Sequence, residues 1–468
     1  MSGHYCYQSD IRRSTGMKIL IKGAGDLATG IAVRLYQCGH QIIMTEIEKP
    51  LTVRRMVAFS RAVYEKDVIV EGVRGRRAQT PDEVKRIIAD GEIAVFVDPE
   101  AKIKKSFCPD VVIDAILAKK NTGTQITDAP FVIGTGPGFI AGTDCHCVIE
   151  TKRGHTLGNV IWKGSAIPNT GVPGNVGGYT IERLIRASAE GEMQAVASIG
   201  DLVQEGQIVA YTGEKPVYAK MTGIVRGMLQ NGVQVEENLK IGDIDARCER
   251  THCFTISDKA RSVGGAALEA VTQFECIYQK YAVIVLAAGT GKRYGSNKLL
   301  ARIQGKMLYE HMLQKLDALS AFPAYIVTGY EQIQRSAEEK GIHAVENRQP
   351  ELGISHSLRL GLSTCLQENP QIQGVLFSVC DQPNLQLSTM LGLIRTAMLH
   401  PGKIVCSGHE GRFGNPVLWD KKFFDELMKL EGDTGGKVIL EKRKEQCILL
   451  ETEAEELKDI DRKQDIAE

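Results

Sequence analysis

Along the first 150 residues, short apolar runs alternate with helix-length segments. From Lys18 the pattern reads as a strand at Ile19–Ile21, a turn at Gly23-Ala24-Gly25, a segment of helical period and a second strand that ends at Glu46. The same alternation predicts a strand at 68–70, a helix at 81–89 with Thr80 as cap and Pro81 in its first position, and strands at 94–97 and 111–113. A further apolar run, Phe131-Val132-Ile133, ends in the turn Gly136-Pro137-Gly138. Strands separated by helices imply crossover connections, so the expectation for 17–150 is a Rossmann-like domain with a parallel sheet, after a leader at 1–16.

The pattern then changes twice. From 151 to 179 Gly and Pro are dense, yet Ile161, Trp162 and Ile167 argue against a solvated tether. Arg153, His155 and Lys163 either gather an anion there or belong to a cationic surface loop without a ligand. From 200 to 245 alternating Val residues with a Gly every eight to ten positions predict short strands and hairpins, arranged as a pseudo-repeat (GDLVQEGQIVA, then NGVQVEENLKIGD). That pattern is similar to the barrel-sandwich hybrid of lipoyl and biotinyl carriers. The carrier's Met-Lys-Met is absent, and Gly213-Glu214-Lys215-Pro216 stands in its place, so the fold is expected without a swinging cofactor. An amphipathic helix at 258–272 closes a small β-rich, barrel-sandwich-like domain within 151–275.

At Tyr281 a new strand opens a third, Rossmann-like domain at 281–468. Its expected elements are a helix at 307–320, a strand at 324–328, a helix at 334–340, a strand at 343–345, a polar turn entering a helix within 347–362, and a buried strand at 374–380. The whole is an α/β chain.

Composition narrows the chemistry. Lys and Arg together number 57, as do Asp and Glu, so no global charge favours nucleic acid or an anionic membrane. No run of apolar residues is long enough to span a bilayer, and the first sixteen residues lack a signal peptide's apolar core, which points to a cytoplasmic location. The 12 cysteines are scattered, mostly within apolar runs, as reduced thiols are. Cys145 and Cys147 share a strand face but supply only two ligands, which favours packing over metal.

Two glycine turns are candidates for function. Gly23-Ala24-Gly25-Asp26-Leu27-Ala28 fits a dinucleotide fingerprint, with Gly23 and Gly25 in the turn and Glu46 about twenty residues on. Asp26 would repel a pyrophosphate, and whether NAD binds stays open. In the stretch 283–300, VIVLAAGTGKRYGSNKLL, an aliphatic strand meets a Gly- and cation-rich loop, suiting a nucleoside triphosphate or simply a surface turn. Asp381 follows a buried strand, where a carboxylate can hold the Mg²⁺ of an incoming triphosphate.

Leu286-Ala287-Ala288-Gly289, Lys298-Leu299-Leu300, Gly353 with Ser355, Ser357 and Arg359, Asp381-Gln382-Pro383, Gly414-Asn415-Pro416-Val417, Gly432-Asp433 and Asp459-Ile460-Asp461 occur in that order. Together they resemble the molybdenum cofactor cytidylyltransferase (MocA) family, with the fold of MobA-like nucleotidyltransferases, over about residues 281–466. The resemblance implies Mg²⁺-dependent transfer of CMP from CTP to the phosphate of the molybdopterin cofactor, giving molybdopterin cytosine dinucleotide and pyrophosphate. It places Leu286, Ala287, Ala288 and Gly289 at the nucleotide, Arg293 and Lys298 at the triphosphate, and Lys298 with Asp381 at the chemistry. Asp433, Asn415 and Asp461 are candidates for a second metal ligand, although Asp461 also suits a helix cap. Leu-Ala-Ala-Gly resembles CTP users, and Arg293-Tyr294-Gly295 departs mildly from the usual Arg-Met-Gly or Arg-Phe-Gly.

The first half resembles the YqeB family of accessory proteins in selenium-dependent molybdenum hydroxylase systems. The residues concerned are Gly23-Ala24-Gly25-Asp26-Leu27-Ala28-Thr29-Gly30, Asp114-Ala115-Ile116-Leu117-Ala118-Lys119, Gly136-Pro137-Gly138, Ile149-Glu150-Thr151, Pro168-Asn169-Thr170-Gly171 and Lys240-Ile241-Gly242-Asp243-Ile244-Asp245. This resemblance implies a hydroxylase apoprotein as partner and leaves the chemistry of that half open. A GTP- or sugar-phosphate-using transferase and a non-catalytic cofactor-binding chaperone are the alternatives.

Overall fold

The structure is a computed structural model that describes residues 16–169, 171, 177–289, 297–460 and 462–465. Nearly all of the expected leader therefore lies outside the described residues, as do Arg293 and Asp461. The chain forms two compact units, Met1–Ala270 and Val271–Glu468. Among the described residues no helix is long and apolar enough to cross a membrane, and no disulfide links the cysteines.

In the first unit a nine-stranded sheet has the spatial order Asp67–Val70, Val73–Ala78, Ile93–Val97, Gln41–Glu46, Lys18–Lys22, Val111–Asp114, Phe131–Thr135, Cys147–Ile149, Val160–Ile161. Pairing is parallel except between the two strands at each edge. The first strand is central because the chain builds one side of the sheet, then crosses back to place Val111–Asp114 on the other. That reversal opens a crevice beyond the carboxyl ends of the central strands. Helix Pro81–Ala89 begins as expected, with the Thr80 hydroxyl accepting from the Glu83 N–H at 3.2 Å.

The β-rich module is two four-stranded sheets, one ordered Leu184–Arg186, Lys240–Asp245, Gly223–Met228, Leu202–Val203, the other Lys215–Tyr218, Ile208–Thr212, Gly191–Ala195, Gln234–Val235. Met193, Val209, Val225 and Ile241 fill the space between them. The module starts at Leu184, ahead of the pseudo-repeat, because Leu184–Arg186 pairs with the distant Lys240–Asp245.

The second unit holds a seven-stranded sheet ordered His343–Glu346, Ala324–Thr328, Tyr281–Leu286, Gly374–Val379, Arg412–Asp420, Ile404–His409, Cys447–Glu451. The first four are parallel, and Arg412–Asp420 runs antiparallel to both neighbours. The helices expected from the pattern are Leu308–Ala318, Glu331–Glu338 and Ile354–Glu368, the last running past its expected end. Leu286 and Val379 are register partners, so the turns after these two strands emerge side by side.

Helix Asp26–Gln37 lies against Asp258–Ile277, at a contact that only bare backbone allows. A β-carbon on Gly30 would stand 2.7 Å from the Ala260 carbonyl oxygen, and one on Gly264 would stand 2.6 Å from that of Gly30. The next residue, Gly265, faces open space. Gly264→Ala should therefore lower stability by about 1–3 kcal/mol through overpacking, and Gly265→Ala should raise it by up to about 1 kcal/mol through helix propensity. Urea unfolding midpoints of the two neighbouring variants check this, and equal shifts would contradict it.

Candidate functional site

The turn after Tyr281–Leu286 is tied down from the adjacent strand. Ala287 donates its N–H to the Val327 carbonyl at 2.8 Å, its own carbonyl accepts from the Thr328 hydroxyl at 3.0 Å, and the Gly289 carbonyl accepts from the Tyr330 hydroxyl at 2.9 Å. All three anchors hold carbonyls or the first amide. Among the described residues the N–H groups of Ala288 and Gly289 have no acceptor, the state an anion-binding turn requires.

Lys298 begins a short helical turn, Lys298–Leu300, capped by the Asn297 side chain, which accepts from the Leu299 N–H at 3.1 Å. Its ammonium donates to Asp381 Oδ2 at 2.6 Å, and both side chains are about four-fifths buried (17% and 19% exposed). The other oxygen, Asp381 Oδ1, is shielded from solvent and has no hydrogen-bond partner among the described residues. A buried carboxylate oxygen without a donor is unfavourable as it stands and is suited to a cation.

The main chain of the following turn is held by a residue that the sequence did not single out. Lys315 donates from Nζ to the Pro383 carbonyl at 3.0 Å and the His311 carbonyl at 3.1 Å, and burial pushes its ammonium down to about 8. In the sequence it is one lysine on an amphipathic helix, with no local signal of this role.

Beside these groups lies a cavity of about 580 Å³, lined by Leu286, Ser378 and Val379 at the strand ends and by Asn415, Trp419 and Ile354. Leu286 and Asn415 thus share a site. Asp433 does a different job: its Oδ1 accepts from the Ile354 N–H at 3.4 Å where helix Ile354–Glu368 begins. There Gly353 has φ of +87°, a β-carbon on it would stand 2.5 Å from the Gly432 carbonyl oxygen, and the Ser355 hydroxyl donates to that oxygen at 2.7 Å. The Gly353 and Gly432-Asp433 motifs meet as a clasp on the helix start. Among the described residues no three His, Cys, Asp or Glu side chains group as a metal cluster.

The first unit's glycine turn is arranged differently. Gly23 (φ +91°) donates to the Thr45 carbonyl at 2.8 Å, and a β-carbon on it would stand 3.1 Å from the Ala115 carbonyl oxygen. Glu46 accepts from the Ala24 N–H at 3.0 Å and the Ile47 N–H at 2.8 Å, while burial raises its carboxyl pKa against those two bonds. The fingerprint's acid is thus engaged by one amide of the glycine turn and by the amide of the residue that follows it. Asp26 sits in the first helical turn, 3.5 Å from Arg54. Gly23, Gly25, Glu46 and Arg153 all line one cleft, but Arg153 forms a bidentate pair with Asp258 at 2.6 and 2.8 Å, and His155 is exposed outside the lining. Cys145 and Cys147 are buried, with the Cys145 thiol pushed up to about 12 by burial, and His146 Nδ1 accepts from the Val132 N–H.

Residues 283–447 match the family described as MobA-like NTP transferase domain. The second unit carries a nucleotidyltransferase domain. Over 253 residues, 54% of this chain, the protein is 49% identical to the uncharacterized protein YqeB of Escherichia coli (strain K12), covering 47% of that relative. It is also 32% identical over 122 residues, 25% of each chain, to the bifunctional protein GlmU of Francisella philomiragia. The chain thus spans about half the length of YqeB and a quarter of GlmU. Among solved structures, Rv0371c from Mycobacterium tuberculosis H37Rv is 20% identical, covering 40% of this chain and 95% of that one, with a TM-score of 0.34.

The position of Lys315 generates a pH test. Its folded pKa, about 8, lies below the ordinary 10.5, so the unfolded chain binds more protons between those values and stability should rise with pH across that window. The contribution is present above 10.5 and lost as pH falls through 8. Urea midpoints measured across pH 7.5 to 10 (roughly this window) should show that slope reduced in Lys315→Met. An unchanged slope would place the titration elsewhere.

Proposed function

We propose that the second unit transfers CMP from CTP to the terminal phosphate of the molybdopterin cofactor, forming molybdopterin cytosine dinucleotide and releasing pyrophosphate. The observation that carries this reading is the Lys298–Asp381 pair beside a glycine turn with two unpartnered amides, at the carboxyl ends of adjacent parallel strands. The attacking phosphate is already ionised, so the protein's work is to position it and to neutralise charge rather than to abstract a proton. In the ligand-free arrangement Lys298 and Asp381 satisfy one another. An arriving triphosphate takes Lys298 as its counter-cation, the amides of Ala288 and Gly289 meet its oxygens, and Asp381 is released.

The donor set fits Mg²⁺: Asp381 presents a hard oxygen that lacks a donor, and Asn415 lines the adjoining cavity. When bound, the ion would neutralise charge building on the phosphates. Asp433, engaged with the Ile354 N–H, is a weaker second ligand than Asn415 in this reading. Ala288, in place of a second glycine, supports cytidine over guanosine. The first unit would act in maturing a selenium-dependent molybdenum hydroxylase, which is what the resemblance of its motifs implies.

Pyrophosphate release from the full chain with molybdopterin and each nucleoside triphosphate in turn tests the reading. CTP should be preferred over GTP, and Lys298→Ala and Asp381→Asn should each reduce the rate roughly 10²–10³-fold without a change in fold. No release with any nucleotide, or a fully active Asp381→Asn, would overturn it.

A further inference from the structure

The crevice of the first unit holds more positive charge than its carboxylates balance. It is a cleft of about 790 Å³, within the range of small-molecule sites, walled by the sheet's carboxyl ends on one side and by the β-rich module on the other. From the module, Arg183, Arg226 and Lys240 converge on a single carboxylate, Asp243, which is 1% exposed. Arg183 reaches Oδ1 at 2.5 Å, Arg226 Nε reaches Oδ2 at 2.9 Å, and Lys240 stands 3.6 Å from Oδ1. The next acid on the strand, Asp245, lies 3.6 Å from Arg226 but is already engaged by Arg247 at 2.6 Å, so the surplus remains. Lys259 adds a further cation to the lining, with no ion pair among the described residues. Arg183 Nε and Arg54 Nε are shielded from solvent and have no hydrogen-bond partner among the described residues, although both residues are more than nine-tenths buried.

Crowded cations in a half-closed cleft repel one another and lose hydration, so the arrangement is unfavourable until an anion completes it. Lys240 and Lys259 register this: burial first, then neighbouring arginines, hold both ammonium groups below their ordinary pKa. The rest of the lining carries apolar groups beside its polar ones. Ile47, Leu51, Ile116 and Ile167 are large hydrophobic side chains left exposed, and all four line the same cleft. On the glycine-turn side Glu46 and Asp26 keep phosphate away from the helix start, where a dinucleotide would place it. The anionic pole is therefore displaced to the module's wall.

We infer that this cleft binds a phosphate ester of small-molecule size with an apolar body, its phosphate on Arg183, Arg226, Lys240 and Lys259 and its body against Ile47, Leu51, Ile116 and Ile167. The inference is independent of the transferase reading of the second unit. Riboflavin 5′-phosphate and riboflavin are matched fluorescent probes, alike in body and differing in the phosphate. Titrated against the full-length protein, the phosphate ester should saturate and compete with inorganic phosphate, and riboflavin should bind at least roughly tenfold more weakly. Lys240→Gln with Lys259→Gln, both at partly exposed positions whose loss leaves the Arg183–Asp243–Arg226 network in place, should weaken the ester roughly tenfold or more while circular dichroism stays unchanged and the ligand-free melting temperature does not fall. Lys298→Ala should leave it unaffected. Equal affinity for the two probes, no saturable binding, an unaltered double variant or loss on Lys298→Ala would each overturn the inference.

Discussion

Parallel strand pairing is the constraint from which the rest of this molecule follows. A parallel neighbour requires a crossover connection, so the turns that follow the strands collect at one edge of the sheet. In both units the first strand, Lys18–Lys22 or Tyr281–Leu286, is flanked on both sides by parallel strands. The turn that leaves it is thereby fixed beside an acid at or just beyond the end of a neighbouring strand, Glu46 and Asp114 in one unit and Asp381 in the other. Polar chemistry appears at those edges because the strands themselves are buried on both faces and have no room for it.

The two units use the same opening in opposite ways. After Lys18–Lys22, the turn's amide at Ala24 is taken by Glu46 and a carboxylate occupies the first helical turn, so the place where a Rossmann crevice usually meets phosphate is acidic. After Tyr281–Leu286, the turn is anchored through its carbonyls by Thr328 and Tyr330, and the amides of Ala288 and Gly289 remain without acceptors. Positive charge in the first unit comes instead from the β-rich module, through side chains that share Asp243.

Much of this was legible in the chain. The alternation of apolar runs with helical segments marked the central strands of both sheets, and Thr80 with Pro81 marked a helix start to the residue. Lys298 and Asp381, 83 positions apart, were both readable because each follows a strand that has to lie in the sheet's centre. Strands Ile404–His409, Arg412–Asp420 and Cys447–Glu451 were not legible: Gly408, Gly414 and Pro416 interrupt their pattern, and their pairing is long-range. The convergence of Arg183, Arg226 and Lys240 was equally hidden, since it arises from three different strands or strand ends and no local spacing records it. Glu46 stands at the end of the second strand, as the fingerprint's spacing put it, and its bond to the Ala24 amide is one that no spacing records.

The central claim is that Asp381 is held by Lys298 until nucleotide and metal arrive. Water-proton relaxation with Mn²⁺ as a spin probe reads this directly. With CTP present, the native chain should show a strong saturable enhancement, Asp381→Asn should lose it, and Lys298→Ala should retain metal binding while losing affinity for the nucleotide. An enhancement in Asp381→Asn equal to that of the native chain would contradict the account.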